Sequence, residues 1–261
     1  MKSSIFASGI NSITTKNHLL KEFLLPKTCV SCGHIESDLC KQCENNLTIL
    51  ELQRCISCDR FTLNGKTHKY CFNNGFPDAV LSSFEYSGIA RKIILKSKSG
   101  QNSYMLLNTL LKISYNRFIL SELLKLYEFD GIIPIPSSSN FISTKRIVNH
   151  SLIIAQFIQK YYKLYFNKRI PIINILKKKN KTNQKDLNRF ERYDKSNKNY
   201  YIKGQLHALE NKNKILLVDD IATTGATLIS ASKYLKKRFK IQKIYCYTIC
   251  KDLRYNYSNN V

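Results

Sequence analysis

The chain contains one apolar run that dictates its surroundings: residues 214–221 are almost continuously aliphatic, end in two aspartates and open into a turn of threonines and one glycine. In full, residues 215–227 read Ile215-Leu216-Leu217-Val218-Asp219-Asp220-Ile221-Ala222-Thr223-Thr224-Gly225-Ala226-Thr227. An uninterrupted apolar strand is buried on both faces, the environment of a parallel sheet covered by helices. The flanking pattern agrees. Strands are expected at 79–86, 131–136, 170–176 and 243–250, and helices at 89–98, 104–127, 147–166 and 225–239. The fold class is therefore α/β, a parallel sheet flanked by helices with right-handed crossovers.

Such a sheet binds ligands at the carboxyl ends of its strands, where Asp219 and Asp220 stand. The turn Thr223, Thr224, Gly225, Ala226, Thr227 leads into a helix, whose first N–H groups and dipole favour an anion. Gly225 lets the backbone approach a phosphate closely. Two carboxylates beside a phosphate cradle repel the ligand unless they meet sugar hydroxyls or a hard divalent cation, so a ribose phosphate with Mg²⁺ suits the set.

Seven of the nine cysteines fall within 43 residues. Paired CxxC units in a chain lacking a secretory signal are read as metal sites, since cytosolic thiols stay reduced. Cys29, Cys32, Cys40 and Cys43 form a complete zinc set, and Cys55, Cys58 and Cys71 become complete with His68. His34 competes as a ligand, and a cross-braced pairing of the knuckles stays open. This region has too few apolar residues for a core of its own, a lack that metal binding makes good. Cys246 and Cys250 share a face of the last strand with Thr248, as buried structural cysteines do.

The formal charge is +24, from 42 basic and 18 acidic residues. Two thiolate-bound zinc ions lower it to about +21, which still suits a polyanionic partner. Residues 177–203 are expected to form a long exposed loop. With its flank from Lys160 it interleaves lysine and arginine with tyrosine and phenylalanine, the combination that holds single strands of nucleic acid without sequence preference. Candidate contacts are Lys177, Lys178, Lys179, Lys181, Arg189, Arg192 and Tyr193. No run approaches the ~20 apolar residues of a bilayer span, and residues 1–26 lack a leader's apolar core, so a cytoplasmic location is expected.

At residues 215–227 the chain resembles the type I phosphoribosyltransferases, which implies that Asp219 and Asp220 contact ribose hydroxyls and that Thr223–Thr227 hold the 5′-phosphate of phosphoribosyl pyrophosphate. From about Leu24 onward it resembles the ComF family of competence proteins. That likeness rests on the CxxC knuckles, Phe84-Glu85-Tyr86-Ser87-Gly88, and Arg91 with Leu95 and Lys96. It continues through Pro134 and Pro136, Arg146 with Asn149 and His150, then Gln184, Leu187, Arg189 and Arg192, and ends in the aspartate-threonine motif. The chain departs from the family at Ile147, usually Gly, and Lys195, often Asn. The resemblance implies an N-terminal zinc-ribbon module, single-stranded DNA as partner and a role in DNA uptake during natural transformation, beside other uptake proteins. The expected organisation is a lead-in helix at 1–25, a zinc module at 26–76 and a phosphoribosyltransferase-like domain at 77–261. With 34 residues after Thr227, no hood over a nucleobase is expected, and Thr223 replaces the aspartate that assists the base in 6-oxopurine enzymes. Base salvage is therefore disfavoured, and transfer to an unidentified nucleophile is the alternative.

Overall fold

The structure, a computed structural model, describes residues 27–35, 37–73, 75–98, 102–117, 119–136, 149–178, 200–204 and 206–253. The lead-in helix, Arg146, Ile147 and residues 179–199 lie outside these.

The chain divides into two compact units, Met1–Asn46 and Leu47–Val261. The first carries a knuckle in which Gly33, at φ 80°, donates its N–H to the Cys29 carbonyl and Cys29 donates to His34. A short helix, α1 (Lys41–Asn45), follows.

The second unit is built on a four-stranded parallel sheet. Its strands are β1 (Ala79–Glu85), β2 (Gly131–Pro134), β5 (Lys214–Ala222) and β6 (Lys243–Lys251), in the order β1-β6-β5-β2. Helices α2 (Gly88–Lys98), α3 (Ser103–Asn116) and α4 (Ile119–Leu126) connect β1 to β2. Helix α5 (His150–Phe166) follows β2, and α6 (Ala226–Arg238) joins β5 to β6. Ile215 and Leu217 are fully buried in a cluster with Leu228, Ala231, Tyr234 and Leu235 of α6. Leu216 and Val218, equally buried, point to the opposite face by the two-residue period of a strand. Both faces are thus covered, as the unbroken apolar run requires. Cys246, Thr248 and Cys250 are buried as expected, with Thr248 hydrogen-bonded to Ser82 at 2.6 Å.

Three expectations change. The helix expected over 104–127 is two helices, because Arg117 leaves helical geometry at φ −86°, ψ 17°. The segment 170–176 does not form a regular strand. Ile132 bonds Pro171 and Ile173 and pairs with Ile172 at a single bridge, and Pro171 has no N–H with which to extend the ladder. Finally, the expected loop 177–203 is not loop at its ends: β3 (Leu176–Lys178) pairs antiparallel with β4 (Tyr200–Ile202).

Residues 47–71 fall in the larger unit. They lie along β1, the outer strand of the sheet. Leu50 N–H donates to Ser83, Glu85 N–H donates to Thr48, and the Gln53 amide both donates to the Ser82 carbonyl and accepts from its N–H. The segment covers an edge that would otherwise stand open to pairing with another chain. Among the described residues no helix is long and apolar enough to cross a membrane.

Candidate functional site

Strand β5 delivers Asp219 and Asp220 near its carboxyl end, and two helices meet them there. Helix α5 begins at the site, capped by Asn149, whose side chain accepts from Leu152 N–H at 3.1 Å. Its first residue, His150, donates from Nδ1 to Asp220 Oδ2 at 3.0 Å, and its second, Ser151, donates from Oγ to Asp219 Oδ1 at 3.1 Å. Lys98, the last residue of α2, places Nζ 3.1 Å from the same Asp220 oxygen. His150 is seated from behind by Ser97, whose Oγ is 3.3 Å from Nε2.

These contacts separate two adjacent carboxylates. Burial, reinforced by the charge of Asp220, pushes the Asp219 carboxyl up to about 7, against hydrogen bonds from the Asp220 N–H and Ser151. Burial also works against ionisation of Asp220. The His150 hydrogen bond and the Lys98 charge outweigh it and hold that carboxyl down at about 2. Near pH 7 Asp219 is about half-protonated, so the pair carries about one and a half negative charges rather than two, with an ammonium beside it. A neighbouring anion is repelled far less than two bare aspartates would suggest.

The turn Thr223–Gly225 follows directly. Gly225 sits at φ 74° as the N-cap of α6, and no side chain caps that helix. Ala226 N–H makes a long local bond, to Thr224 Oγ1 at 3.3 Å. Thr223, Thr224, Ala226 and Thr227 are exposed and Gly225 is buried. A 13-residue helix with an uncapped N-terminus and exposed threonines offers an anion both N–H and O–H donors. Tyr200 of β4, buried, reaches the Thr227 carbonyl at 3.4 Å. Its hydroxyl is held protonated by burial and by the nearby Asp219 charge.

The cysteine sets close as expected and are not cross-braced. In each of Cys29–Cys32–Cys40–Cys43 and Cys55–Cys58–His68–Cys71 the donor atoms lie within 4.8 Å of one another, the arrangement that holds a metal ion such as zinc. Cys32 and Cys40 Sγ are 3.6 Å apart, near the ~3.8 Å edge of a tetrahedral Zn–S site. His68 shows its ligating atom: Nε2 donates to the Phe61 carbonyl at 3.1 Å, leaving Nδ1 turned to Cys58 Sγ at 3.3 Å. Without a cation the crowded thiols cannot all ionise. Burial works against Cys29 and Cys58 too, yet hydrogen bonds bring them down to about 6, while Cys71 is pushed up to about 11 by burial and by Cys58. A divalent ion relieves that conflict. His34 lies outside both sets.

Of the expected nucleic-acid contacts, Lys177 and Lys178 lie half-buried in β3, paired with Tyr201 and Tyr200. Lys179, Lys181, Arg189, Arg192 and Tyr193 lie outside the described residues. The aromatic residues of α5 are partly spent on packing: Tyr162 is buried against Phe129 and Phe166, and Tyr161 stacks on Phe157. Tyr165, about half exposed, meets Phe166 edge-on at 4.8 Å.

Lys98, Ser151 and Tyr200 were not legible as site residues, since only tertiary folding brings them to the aspartates. His150 entered through the family resemblance alone. No protein-family model matches the sequence, and no curated protein sequence does either.

Proposed function

We propose that the larger unit binds a ribose phosphate of the phosphoribosyl-pyrophosphate type with Mg²⁺, and that the chain is a ComF-like protein handling single-stranded DNA. One observation carries this reading: an acidic pair of opposite protonation tendency stands at the end of a buried parallel strand and runs straight into an uncapped helix N-terminus. Asp219 and Asp220 then meet the ribose hydroxyls, the Thr223–Thr227 turn holds the 5′-phosphate, and Lys98 and His150 keep Asp220 ionised and in place. Mg²⁺ would supply charge neutralisation to the pyrophosphate. Zinc fits both cysteine sets.

A second reading, phosphoribosyl transfer to a nucleophile, is favoured by the Asp219 carboxyl, which titrates where a general acid or base works best. Release of pyrophosphate on adding a nucleophile would establish it. With free purine or pyrimidine bases we expect none.

The DNA-handling part predicts sequence-independent binding of single strands that weakens steeply with salt, with a log–log slope of roughly −0.7 per phosphate neutralised. Replacing Lys177, Lys178, Lys179 and Lys181 together with Ala should flatten the slope by up to about three units. Fluorescence anisotropy of a labelled oligonucleotide across a salt series checks this. An unchanged slope places the strand elsewhere, and no binding at low salt removes the DNA reading.

A further inference from the structure

The Cys55–Cys58 knuckle of the second metal set meets the anion turn at Gly225. Gly225 is required there twice over. Its φ of 74° is left-handed, and a Cβ on it would stand 2.6 Å from Ile56 Cγ1 and 2.9 Å from Ile56 Cδ1. Ile56 is the residue between Cys55 and Cys58 that faces inward: it is buried and belongs to the apolar cluster that includes Ala222 and Leu228, on either side of the turn. The same knuckle is fastened a second time. Asp59, whose N–H closes the turn onto the Cys55 carbonyl, pairs with Lys251 Nζ at 2.9 Å, and both side chains are largely buried. Lys251 is the last residue of β6 and lies opposite Ala222 in the ladder, and the next N–H, that of Asp252, bonds the Ala222 carbonyl at 2.8 Å. The turn therefore rests on a floor whose shape is set by the loop between two metal ligands.

We infer that Ile56 is a positioning residue for the Thr223–Thr227 turn, so that metal occupancy of Cys55–Cys58–His68–Cys71 and anion binding at the turn are thermodynamically coupled. This rests on the ribose-phosphate reading of the turn. An ordered knuckle holds Ile56 against Gly225 and keeps the amides convergent. An emptied knuckle withdraws that support. Linkage is reciprocal, so a ligand on the turn must in the same measure retain the metal.

The test uses the full chain with both ions bound and phosphoribosyl pyrophosphate with Mg²⁺ as probe. Calorimetry gives the affinity of the wild type, Ile56→Val and Ile56→Ala. Chelator-driven zinc release, with and without saturating probe, gives the reverse effect, and the release phase absent from Cys58→Ser identifies the second ion. We expect Ile56→Ala to keep two ions yet bind the probe at least about fivefold more weakly, the lower end of typical coupling. Ile56→Val, which retains a branched chain, should recover most of the loss. The probe should slow release of the second ion in the wild type and not in Ile56→Ala. A merely structural role would leave that ligand dependence intact. Should Ile56→Ala not fold, the wild-type release measurement and Ile56→Val decide alone. A wild type that binds the probe while its zinc release is indifferent to it overturns the coupling. So does Ile56→Ala with unchanged affinity. A wild type that does not bind the probe overturns the ribose-phosphate reading and this inference with it.

Discussion

Replacing His68 with Ala should lower the bound metal from two ions per chain to one and strip hydrogen-exchange protection from residues 47–71 and from β1. A structural zinc site supplies on the order of 10 kcal/mol of apparent binding free energy, comparable with the roughly 5–15 kcal/mol that holds a whole domain folded. Beside the metal, the covering segment relies on a few buried apolar residues, Leu47, Leu50 and Ile56, and on the Asp59–Lys251 pair. Leu52, Phe61 and Leu63 are all more than half exposed, so its apolar residues are only partly used in packing. Its bonds to Ser82, Ser83 and Glu85 are those of a lid on an edge strand, and once the lid loosens β1 becomes available for pairing with other chains. Elemental analysis and peptide-resolved exchange read the two effects, and light scattering should show the variant aggregating. Two ions retained by His68→Ala would remove His68 as a ligand. One ion lost without change at β1 would separate the metal from the sheet.

The adjacent aspartates should respond to neutralisation with opposite signs. The folded-state pKa of Asp219, about 7, lies above the ordinary 3.8, so the folded protein holds an extra proton between those values. Its contribution to stability is complete below that window and is lost as the pH rises through about 7. At pH 8 the ionised carboxylate is a cost. Asp219→Asn removes that cost while its amide oxygen can still accept from Ser151 and the Asp220 N–H. The variant should be more stable than the wild type at pH 8 by on the order of 1–3 kcal/mol, a gain that is smaller at pH 5 and vanishes only below about 3.8. Asp220 is the reverse case. Its pKa is depressed, so its contribution is present above about 3.8 and is lost as the pH falls through about 2. Asp220→Asn removes the negative charge that faces Lys98 and His150 and should destabilise at both pH values. Urea unfolding at pH 5 and pH 8 reads both, and shifts of the same sign at pH 8 would refute the asymmetry. Both variants should lose the ligand, the mark of a site whose cost in stability is kept for binding.

What the sequence showed and what it hid divide along one physical line. Strand β5, the acidic pair and the turn lie within 14 consecutive residues, and their chemistry can be read from neighbours in the chain. The metal sets are nearly as local, because a CxxC knuckle fixes its own geometry. The contacts that distinguish Asp219 from Asp220 are different: Lys98, His150 and Ser151 come from helices 68 to 122 residues away in sequence. The β3–β4 ribbon was missed for a similar reason. Each of its strands is three residues long, too short to show a period, and each is stabilised by a partner beyond an intervening 21 residues. The placement of residues 47–71 on the edge of β1 depends on Gln53 reaching Ser82, which no spacing rule anticipates.

The most direct test of the ribose-phosphate site is a calorimetric titration of the wild-type chain with phosphoribosyl pyrophosphate, with and without Mg²⁺, beside a variant carrying both Asp219→Ala and Asp220→Ala. The account predicts saturable binding of one ligand per chain that requires Mg²⁺, is not matched by inorganic phosphate, and disappears in a double variant that remains folded. No binding by the wild type, or equal binding by the folded double variant, would contradict it.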